Sequence, residues 1–483
     1  MSAFRRASIY VRFPLALLLL MVLVACRGGA PAVTTTSPAA TATQEAATTS
    51  ATIGTTTATI NFQIFGSPDE LAVYQKLVDQ YNTTHPGKTV NMVAVPSQDD
   101  DFTRLLAAFT AGTPPEVFLV NYRPFTQLAA SNVLEPLAPY MTQAGIQENQ
   151  YYEQALNAFR YNGQLTCIPQ NISSLVVFYN KNLFEQYKVP LPTAGWTWQD
   201  FLGAAQALTL DTNNDSKADI YGVGIEPEMP RVTPFVWQAG GDIVDNPANP
   251  TKLTLDTPQT HEALRFFIDL RARYGVTPPE NEGKSEDDVA RFQEGKLGML
   301  FFSRRVVPAL RTIKNFTWDV APLPVYDATH QPATILHSDA YCMSKVTKDK
   351  AAAWDFIQYA TGPDGQKLAS ELGRVVPSLK SVAESPAFLD SSRPPANSKV
   401  FLDVIPSIRA LPASPVWSAV EHAFNEEFEA ANFANDEAAE SSGEVERPGQ
   451  PREISSAVRD QIEGAFNKAA EEAEEQFRKA NAK

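Results

Sequence analysis

The chain has 483 residues, of which 44% are hydrophobic and 20% charged, and a formal charge of −15. That acidity disfavours nucleic acid and anionic membrane surfaces as partners, and fits a neutral or cationic ligand better. Three cysteines and five scattered histidines leave no zinc-type ligand cluster.

The N-terminus reads as an export segment. Arg5, Arg6 and Arg12 form a cationic leader, and Phe13 to Ala25 is an apolar run of 13 residues, too short to span a bilayer comfortably. The run ends in Leu23-Val24-Ala25-Cys26, which resembles a bacterial lipobox, with a small residue before the cut and a nucleophilic thiol after it. That resemblance implies a signal peptide over residues 1–25, lipidation at Cys26 and attachment to the membrane through the lipid. An ordinary secretory signal with an incidental Cys is the alternative. Residues 26–58 are dominated by Thr, Ala, Ser and Pro, with Arg27 and Glu45 as their charges, so they read as a disordered tether. Loss of the three leader arginines takes the mature chain to −18. No later apolar run reaches 18 residues, so no second span is expected.

About 425 residues follow, enough for two or more lobes. Ile60, Phe62 and Ile64 alternate with polar residues before Gly66-Ser67-Pro68, predicting a strand and a turn. Leu71, Tyr74, Leu77, Val78 and Tyr81 recur at helical spacing; Val90 to Val95 reads as a strand. Phe102, Leu105, Leu106 and Phe109 mark a helix closed by Gly112, and Val117 to Val120 a short apolar strand. Strand–helix–strand–helix–strand order implies parallel strands with crossover helices, an α/β lobe. Asn162-Gly163 signals a hairpin, Leu175 to Tyr179 a buried strand, and Thr197-Trp198-Gln199-Asp200 a capping box opening a helix. Ser285-Glu286-Asp287-Asp288 predicts a second such box, on a helix that Gly295 ends before a strand over Leu297 to Phe302. Ala351 to Ala360 and Gly365 to Leu372 read as helices. A final long helix carries Ile454, Val458, Ile462, Phe466, Ala469, Ala473 and Phe477 on one face. Cys167 and Cys342 either pair, in an oxidising compartment, or serve as two small buried hydrophobes; the unpaired reading is preferred.

Motifs in a shared order then resemble the extracellular solute-binding proteins of carbohydrate importers, the group that includes maltose-binding protein. They are Ala111-Gly112-Thr113-Pro114-Pro115-Glu116-Val117-Phe118, Arg160-Tyr161-Asn162-Gly163-Gln164-Leu165 with Ile168-Pro169, and Phe178-Tyr179-Asn180-Lys181. Further on come Thr197-Trp198, Gln238-Ala239-Gly240-Gly241, Gly298-Met299 and Ala353-Trp354-Asp355-Phe356-Ile357. The resemblance implies a two-lobed periplasmic-binding-protein-like α/β fold, each lobe a mostly parallel sheet flanked by helices, with the ligand in the cleft between lobes. It implies residues 59–171 plus 340–382 in lobe I and residues 172–339 plus 383–483 in lobe II. Crossings then fall near Ile172–Leu175, Asp339–Tyr341 and Leu379–Ala383. Ligand contacts to both lobes would favour the closed state, which a membrane partner recognises. The implied partners are a small carbohydrate and the permease subunits of an ATP-driven importer at the outer face of the cytoplasmic membrane, with the protein itself a monomer.

A sugar site needs aromatic platforms and bidentate polar groups, and strand ends are where an α/β lobe offers them. The first turn offers Phe65 and Ser67; the turn after Val117–Val120 offers Asn121, Tyr122 and Arg123, Tyr122 being either a ligand contact or a lobe-packing aromatic. Asn171 and Ser173 lie at the first crossing and Asp339 at the second. Arg231 and Trp237 belong to the second lobe, Trp237 as platform or core. In Phe302-Ser303-Arg304-Arg305, Ser303 and Arg304 end a strand; Arg304 takes the place of a family arginine and Arg305 that of an aromatic, unless both are a solvated pair. By resemblance Trp417 is a sugar-stacking platform.

The stretch Asp211-Thr212-Asn213-Asn214-Asp215-Ser216-Lys217-Ala218-Asp219 resembles a calcium loop, with Asp211, Asn213, Asp215, Asp219 and the Lys217 carbonyl as ligands. Ser216 stands where such loops have Gly, so a metal-free Asx-rich turn is the other reading; any calcium would be structural, and no cofactor is required. An enzyme that degrades surface glycans is the rival of another class, but the sequence holds no Gly-x-Ser-x-Gly, His-Glu-x-x-His or phosphate-cradling Gly loop. A binding protein for glycerol-phosphate or polyamine is the runner-up within the class.

Overall fold

The computed structural model describes residues 58–247, 250–442 and 448–481. The signal segment, Cys26 and the tether up to residue 57 lie outside the described residues.

The chain begins with β1 (Ala58–Phe65), whose Ile60, Phe62 and Ile64 point into the core. Gly66, at φ +154°, turns the chain into a helix over Pro68–Thr84, where Ser67 and Glu70 form a reciprocal capping box. β2 (Lys88–Val95) returns parallel to β1, pairing Ile60 with Val90. A helix over Gln98–Ala111 ends at Gly112 in the left-handed region, φ +72°. β3 (Val117–Asn121), buried along its whole length, then joins the other side of β1, also parallel. Short β4 (Leu134–Glu135) follows, then the hairpin of β5 (Arg160–Tyr161) and β6 (Gln164–Leu165). Its turn places Asn162 and Gly163 at φ +50° and +76°, the two left-handed residues a type I′ turn requires. β7 (Ile168–Pro169) closes this part of the first lobe, and β8 (Ser173–Ser174) leads out of it.

The second lobe is built on β9 (Val176–Asn180), β10 (Tyr221–Gly224), β11 (Leu297–Phe302) and β12 (Trp318–Ala321), in the order β10-β11-β9-β12. Thr197 and Asp200 form the predicted capping box on the Trp198–Ala207 helix. The next expected box does not form: Asp287, two residues beyond Ser285, caps the Asp288–Gln293 helix alone, accepting from the Ala290 N–H. Aromatic rings fill this core; Trp198 stacks on Phe266 at 4.4 Å and Phe235 on Phe301 at 6.1 Å.

β13 (Thr334–His337) pairs with β8 and with β15 (Ile408–Arg409), and β14 (Asp339–Ser344) returns the chain to the first lobe. There it lies between β3 and β4 and also pairs with β7, completing a six-stranded sheet. The expectation of mostly parallel sheets holds for β1, β2 and β3 but not for the four-stranded sheet of the second lobe, where β10 and β11 are parallel and β9 runs antiparallel to both its neighbours. The reason is directional. β9 and β14 each enter a sheet from the opposite lobe, and so run antiparallel to the strands they join.

Two helices, Trp417–Ser442 and Ser456–Asn481, finish the fold. Val458, Ile462, Phe466, Ala469, Ala473 and Phe477 are all buried, and Phe466 stacks on Phe428 at 6.2 Å. Among the described residues no helix is long and apolar enough to cross a membrane.

The preference for unpaired cysteines is corrected: Cys167 and Cys342 form a disulfide, with Cα atoms 4.6 Å apart. The register puts them directly opposite one another, one step beyond the Ile168–Tyr341 pair, and two cross-strand Cβ atoms at that spacing are within bridging range. Sequence reading lacked this because 175 residues separate them.

Candidate ligand cleft

The first wall of the cleft starts from the capping box. The Ser67 main-chain N–H donates to the Glu70 carboxylate at 3.0 Å, and Arg374 Nε lies 3.2 Å from its other oxygen. Glu70 is 5% and Arg374 2% exposed. Burial pushes the Glu70 carboxyl up, but the Arg374 and Arg305 guanidiniums and the Ser67 donors outweigh it and leave it below the usual carboxylate range. Arg374 Nη2 also approaches Asp339, at 3.8 Å. Asn121 caps the Tyr122–Ala130 helix, accepts from Arg123 Nε at 3.3 Å, and donates through Nδ2 to Asp339 at 2.9 Å. Arg123 in turn donates to Glu421 at 2.6 Å, joining this wall to the Trp417–Ser442 helix.

The facing wall comes from the second lobe. Glu226, Glu228 and Arg231 lie at the start of the Met229–Gln238 helix, and Arg231 Nη2 is 2.6 Å from Glu226 and 3.5 Å from Glu228. Burial raises the Glu228 carboxyl; Glu226 is also pushed up by burial, but Arg231 and Arg305 bring it below its usual value. Phe302 lies between two guanidiniums, Arg231 at 5.2 Å and Arg305 at 5.0 Å from its ring centre. Arg305 reaches across the cleft to within 3.7 Å of Glu70. The side chains of Glu226, Arg305 and Glu228 keep 48%, 42% and 35% of their surface open, although all three sit between the lobes. His337, at the end of β13, is kept neutral by burial and by Arg231, Arg123 and Arg305, and its buried Nε2 has no hydrogen-bond partner among the described residues. The arrangement thus presents acceptors and donors of both charges, several with unused valence.

The structure sorts the expected site residues. Ser67, Arg123 and Arg231 belong to the cleft walls. Arg304 does not serve as a clamp. It is 1% exposed, donates to the Val375 carbonyl at 3.1 Å and Ser398 Oγ at 3.2 Å, and lies against the Phe388 and Phe401 rings. Burial, and the nearby Arg311 guanidinium, depress its pKa. The 3-10 turn over Arg304–Val306 sends the two neighbouring arginines in different directions, and Arg305 takes the cleft. Trp417 is likewise corrected: it is fully buried and shows no open face for a sugar ring. Its indole N–H is directed at Glu421, one turn on, but falls short of hydrogen-bond geometry. Tyr122 packs between lobes, its hydroxyl accepting from the Leu411 N–H at 3.2 Å. Trp237 is spent on Asp242 at 3.1 Å and on the Arg409 guanidinium stacked over it at 4.5 Å. Phe65 and Ser303 are buried, and Ser173 Oγ accepts from the Arg304 main chain. Asn171 and Asp339 are bonded to each other and to their neighbours.

Glu70, Glu226 and Glu421 were not among the expected ligand residues, whereas Arg305 was expected in the place of a family aromatic. Glu70 carried a sequence signal, as the third helical residue of a capping box after a strand-ending glycine. Glu421 carried none, since its place follows from the packing of the last helices.

In the loop from Asp211 to Asp219, Asp211 accepts the N–H groups of Asn214, Asp215 and Ser216 at 2.7, 3.2 and 2.9 Å. Asp219 accepts from Thr212 N–H and Oγ1, at 2.7 and 2.6 Å, and from Asn213 Nδ2 at 3.0 Å. Asp215 accepts the Lys217 N–H at 2.9 Å. These bonds close the loop on itself, and among the described residues no three His, Cys, Asp or Glu side chains are gathered as a metal site.

The sequence profile described as "Bacterial extracellular solute-binding protein" matches residues 76–395. The chain belongs to that family. Among related proteins, the maltotriose-binding protein of Pyrococcus abyssi is 25% identical to this solute-binding protein over 371 residues, 74% of this chain and 75% of the relative. Among solved structures, the ABC substrate-binding protein Lmo0181 from Listeria monocytogenes, in complex with cycloalternan, superposes with a TM-score of 0.73 at 23% identity, covering 88% of this chain and 99% of that one. UgpB from Mycobacterium tuberculosis, in complex with glycerophosphocholine, superposes with a TM-score of 0.69 at 19% identity, covering 86% and 98%. Both share the two-lobed fold.

Proposed function

We propose that this solute-binding protein captures a sugar or oligosaccharide outside the cytoplasmic membrane and delivers it to the permease subunits of an ABC importer, while tethered through a lipid on Cys26. The observation that carries the reading is the presence of open groups of both signs in the cleft: Glu226 and Glu228 as acceptors and Arg305 as donor. A sugar hydroxyl both donates and accepts, so a polyol uses such a wall in full. The maltotriose-binding relative and the cycloalternan complex support a sugar. The role is capture without turnover.

The incompletely paired, solvent-open guanidinium of Arg305 favours a second reading, a glycerol-phosphate derivative, which the glycerophosphocholine complex of UgpB also supports. A thermal-shift screen separates the two. Neutral oligosaccharides such as maltotriose should raise the melting temperature, since ligand binds the folded state, with the oligosaccharide recovered intact. A rise confined to glycerol 3-phosphate or glycerophosphocholine establishes the second reading and removes the first.

A further inference from the structure

The two lobes are joined by a ribbon whose register changes at one residue. On the first-lobe side Ile168 opposes Tyr341 and Pro169 opposes Ala340; on the second-lobe side Ser173 opposes His337 and Ser174 opposes Leu336. Three residues, Gln170 to Ile172, separate Pro169 from Ser173, whereas only Ser338 and Asp339 separate His337 from Ala340. One strand therefore carries an extra residue, which is the definition of a β-bulge.

The side chain of Asn171 fills the gap in the ladder. Gln170 N–H still donates to the Asp339 carbonyl at 2.9 Å, but the Asp339 N–H turns to Asn171 Oδ1, also at 2.9 Å. Asn171 Nδ2 donates to the His337 carbonyl at 2.9 Å, and Ser338 Oγ donates to the Asn171 carbonyl at 2.7 Å. On the opposite edge the third crossing lies against the same residue. Ile172 N–H donates to the Val376 carbonyl at 2.9 Å, Ser378 N–H to the Gln170 carbonyl at 3.2 Å, and Asn171 bridges Pro377. Asn171 is 3% exposed at the centre of all three crossings. Four residues before it, the Cys167–Cys342 disulfide ties the first two crossing strands together inside the first lobe.

We infer that Asn171 is the bending joint of the protein: its carboxamide replaces two main-chain rungs where the interlobe ribbon bulges, and so sets the angle at which the lobes face each other. A bulge strengthens local twist and interrupts the ladder, so bending concentrates there. A side-chain amide can follow the bend by rotating about χ1 and χ2, which main-chain rungs cannot. The disulfide keeps the first-lobe end of the ribbon from sharing the motion. Asn171 is thus a positioning residue for the cleft, because His337 and Asp339, on either side of the bulge, are hung from its two ends. The inference rests on the two-lobed fold and not on which ligand the cleft takes.

The test measures lobe geometry directly and needs no ligand. Spin labels on noncanonical amino acids at exposed Gln143 in the first lobe and Lys314 in the second leave the disulfide intact. Double electron–electron resonance then gives the interlobe distance distribution of the full chain. Asn171→Ala removes both carboxamide rungs and should broaden the distribution and add a second population of different separation. Asn171→Asp keeps the acceptor and loses the donor, and should give an intermediate width. Should Asn171→Ala not fold, Asn171→Asp and Ser338→Ala, which removes the remaining side-chain rung, carry the test alone. A residue that merely stabilises the fold would lower the melting temperature and leave the distribution of the folded protein unchanged; that result overturns the inference.

Discussion

Substituting the adjacent arginines separately should give opposite phenotypes. Arg305 faces Glu70 at 3.7 Å with 42% of its side chain open. At that separation the Coulomb energy is roughly 1–4.5 kcal/mol for an effective dielectric of about 80 to 20. Solvent screening and the ordering of a long side chain reduce such a half-open pair to about 0–1 kcal/mol of stability. Arg305→Ala should therefore hardly shift the unfolding midpoint. On the proposed reading the same guanidinium donates to the ligand a charge-assisted hydrogen bond worth about 1.5–3 kcal/mol, so affinity should fall roughly 10- to 150-fold. Arg304 is the reverse case. Its removal leaves the Val375 carbonyl and Ser398 without their donor and opens a void between Phe388 and Phe401. Arg304→Ala should cost about 2 kcal/mol or more of stability, with affinity kept in the folded fraction. Denaturant unfolding and calorimetric titration with maltotriose, or with whichever ligand the thermal-shift screen selects, measure both. Full affinity in Arg305→Ala together with lost affinity in a folded Arg304→Ala would refute the assignment.

Burial and three arginines hold the His337 pKa below that of an unfolded histidine, so protonation favours the unfolded chain. Stability should therefore be complete above pH of about 6.5 and fall by up to about 1.4 kcal/mol per pH unit below it; denaturant midpoints should show this component lost in His337→Gln, and an unchanged pH profile in that variant would remove the assignment. Trp417→Ala should lower stability by about 3–5 kcal/mol as a buried truncation, whereas Trp417→Phe should retain affinity; loss of binding in a stable Trp417→Phe would restore the stacking role. Calcium added to chelator-treated protein should raise the melting temperature if the loop from Asp211 to Asp219 takes the ion, and Asp211→Ala with Asp215→Ala should abolish the rise; an equal rise in the double variant places the ion elsewhere. Cys26→Ser should release the protein from the membrane fraction, and continued membrane association through an uncleaved, unmodified N-terminus would overturn the lipid anchor.

What could be read from sequence was what local chemistry decides. The alternation in β1, the all-apolar β3, the Asn162-Gly163 turn and the Thr197 capping box each depend on a handful of consecutive residues, and each formed as expected. The resemblance extended that to two lobes and a cleft. The pairing of Cys167 with Cys342 depends on the register of two strands far apart in the chain. The exchange of Arg304 for Arg305 depends on a 3-10 turn after β11, where a shift of one residue reverses which side chain faces the cleft. Trp417 illustrates a different limit: a family position was legible, but the complete burial of its side chain was not. Asn171 was picked out for its place at a crossing, and the same amide chemistry that suits a sugar hydroxyl suits an interrupted ladder.

The central claim is capture of a sugar by closure of two lobes on it. Small-angle scattering of the tether-free protein, with and without a saturating concentration of the oligosaccharide that stabilises it most, tests that claim directly. Closure predicts a smaller radius of gyration and a shorter maximum dimension with sugar, returning to the initial values when the sugar is dialysed away. Scattering curves that superpose with and without a sugar that calorimetry shows to be bound would contradict it.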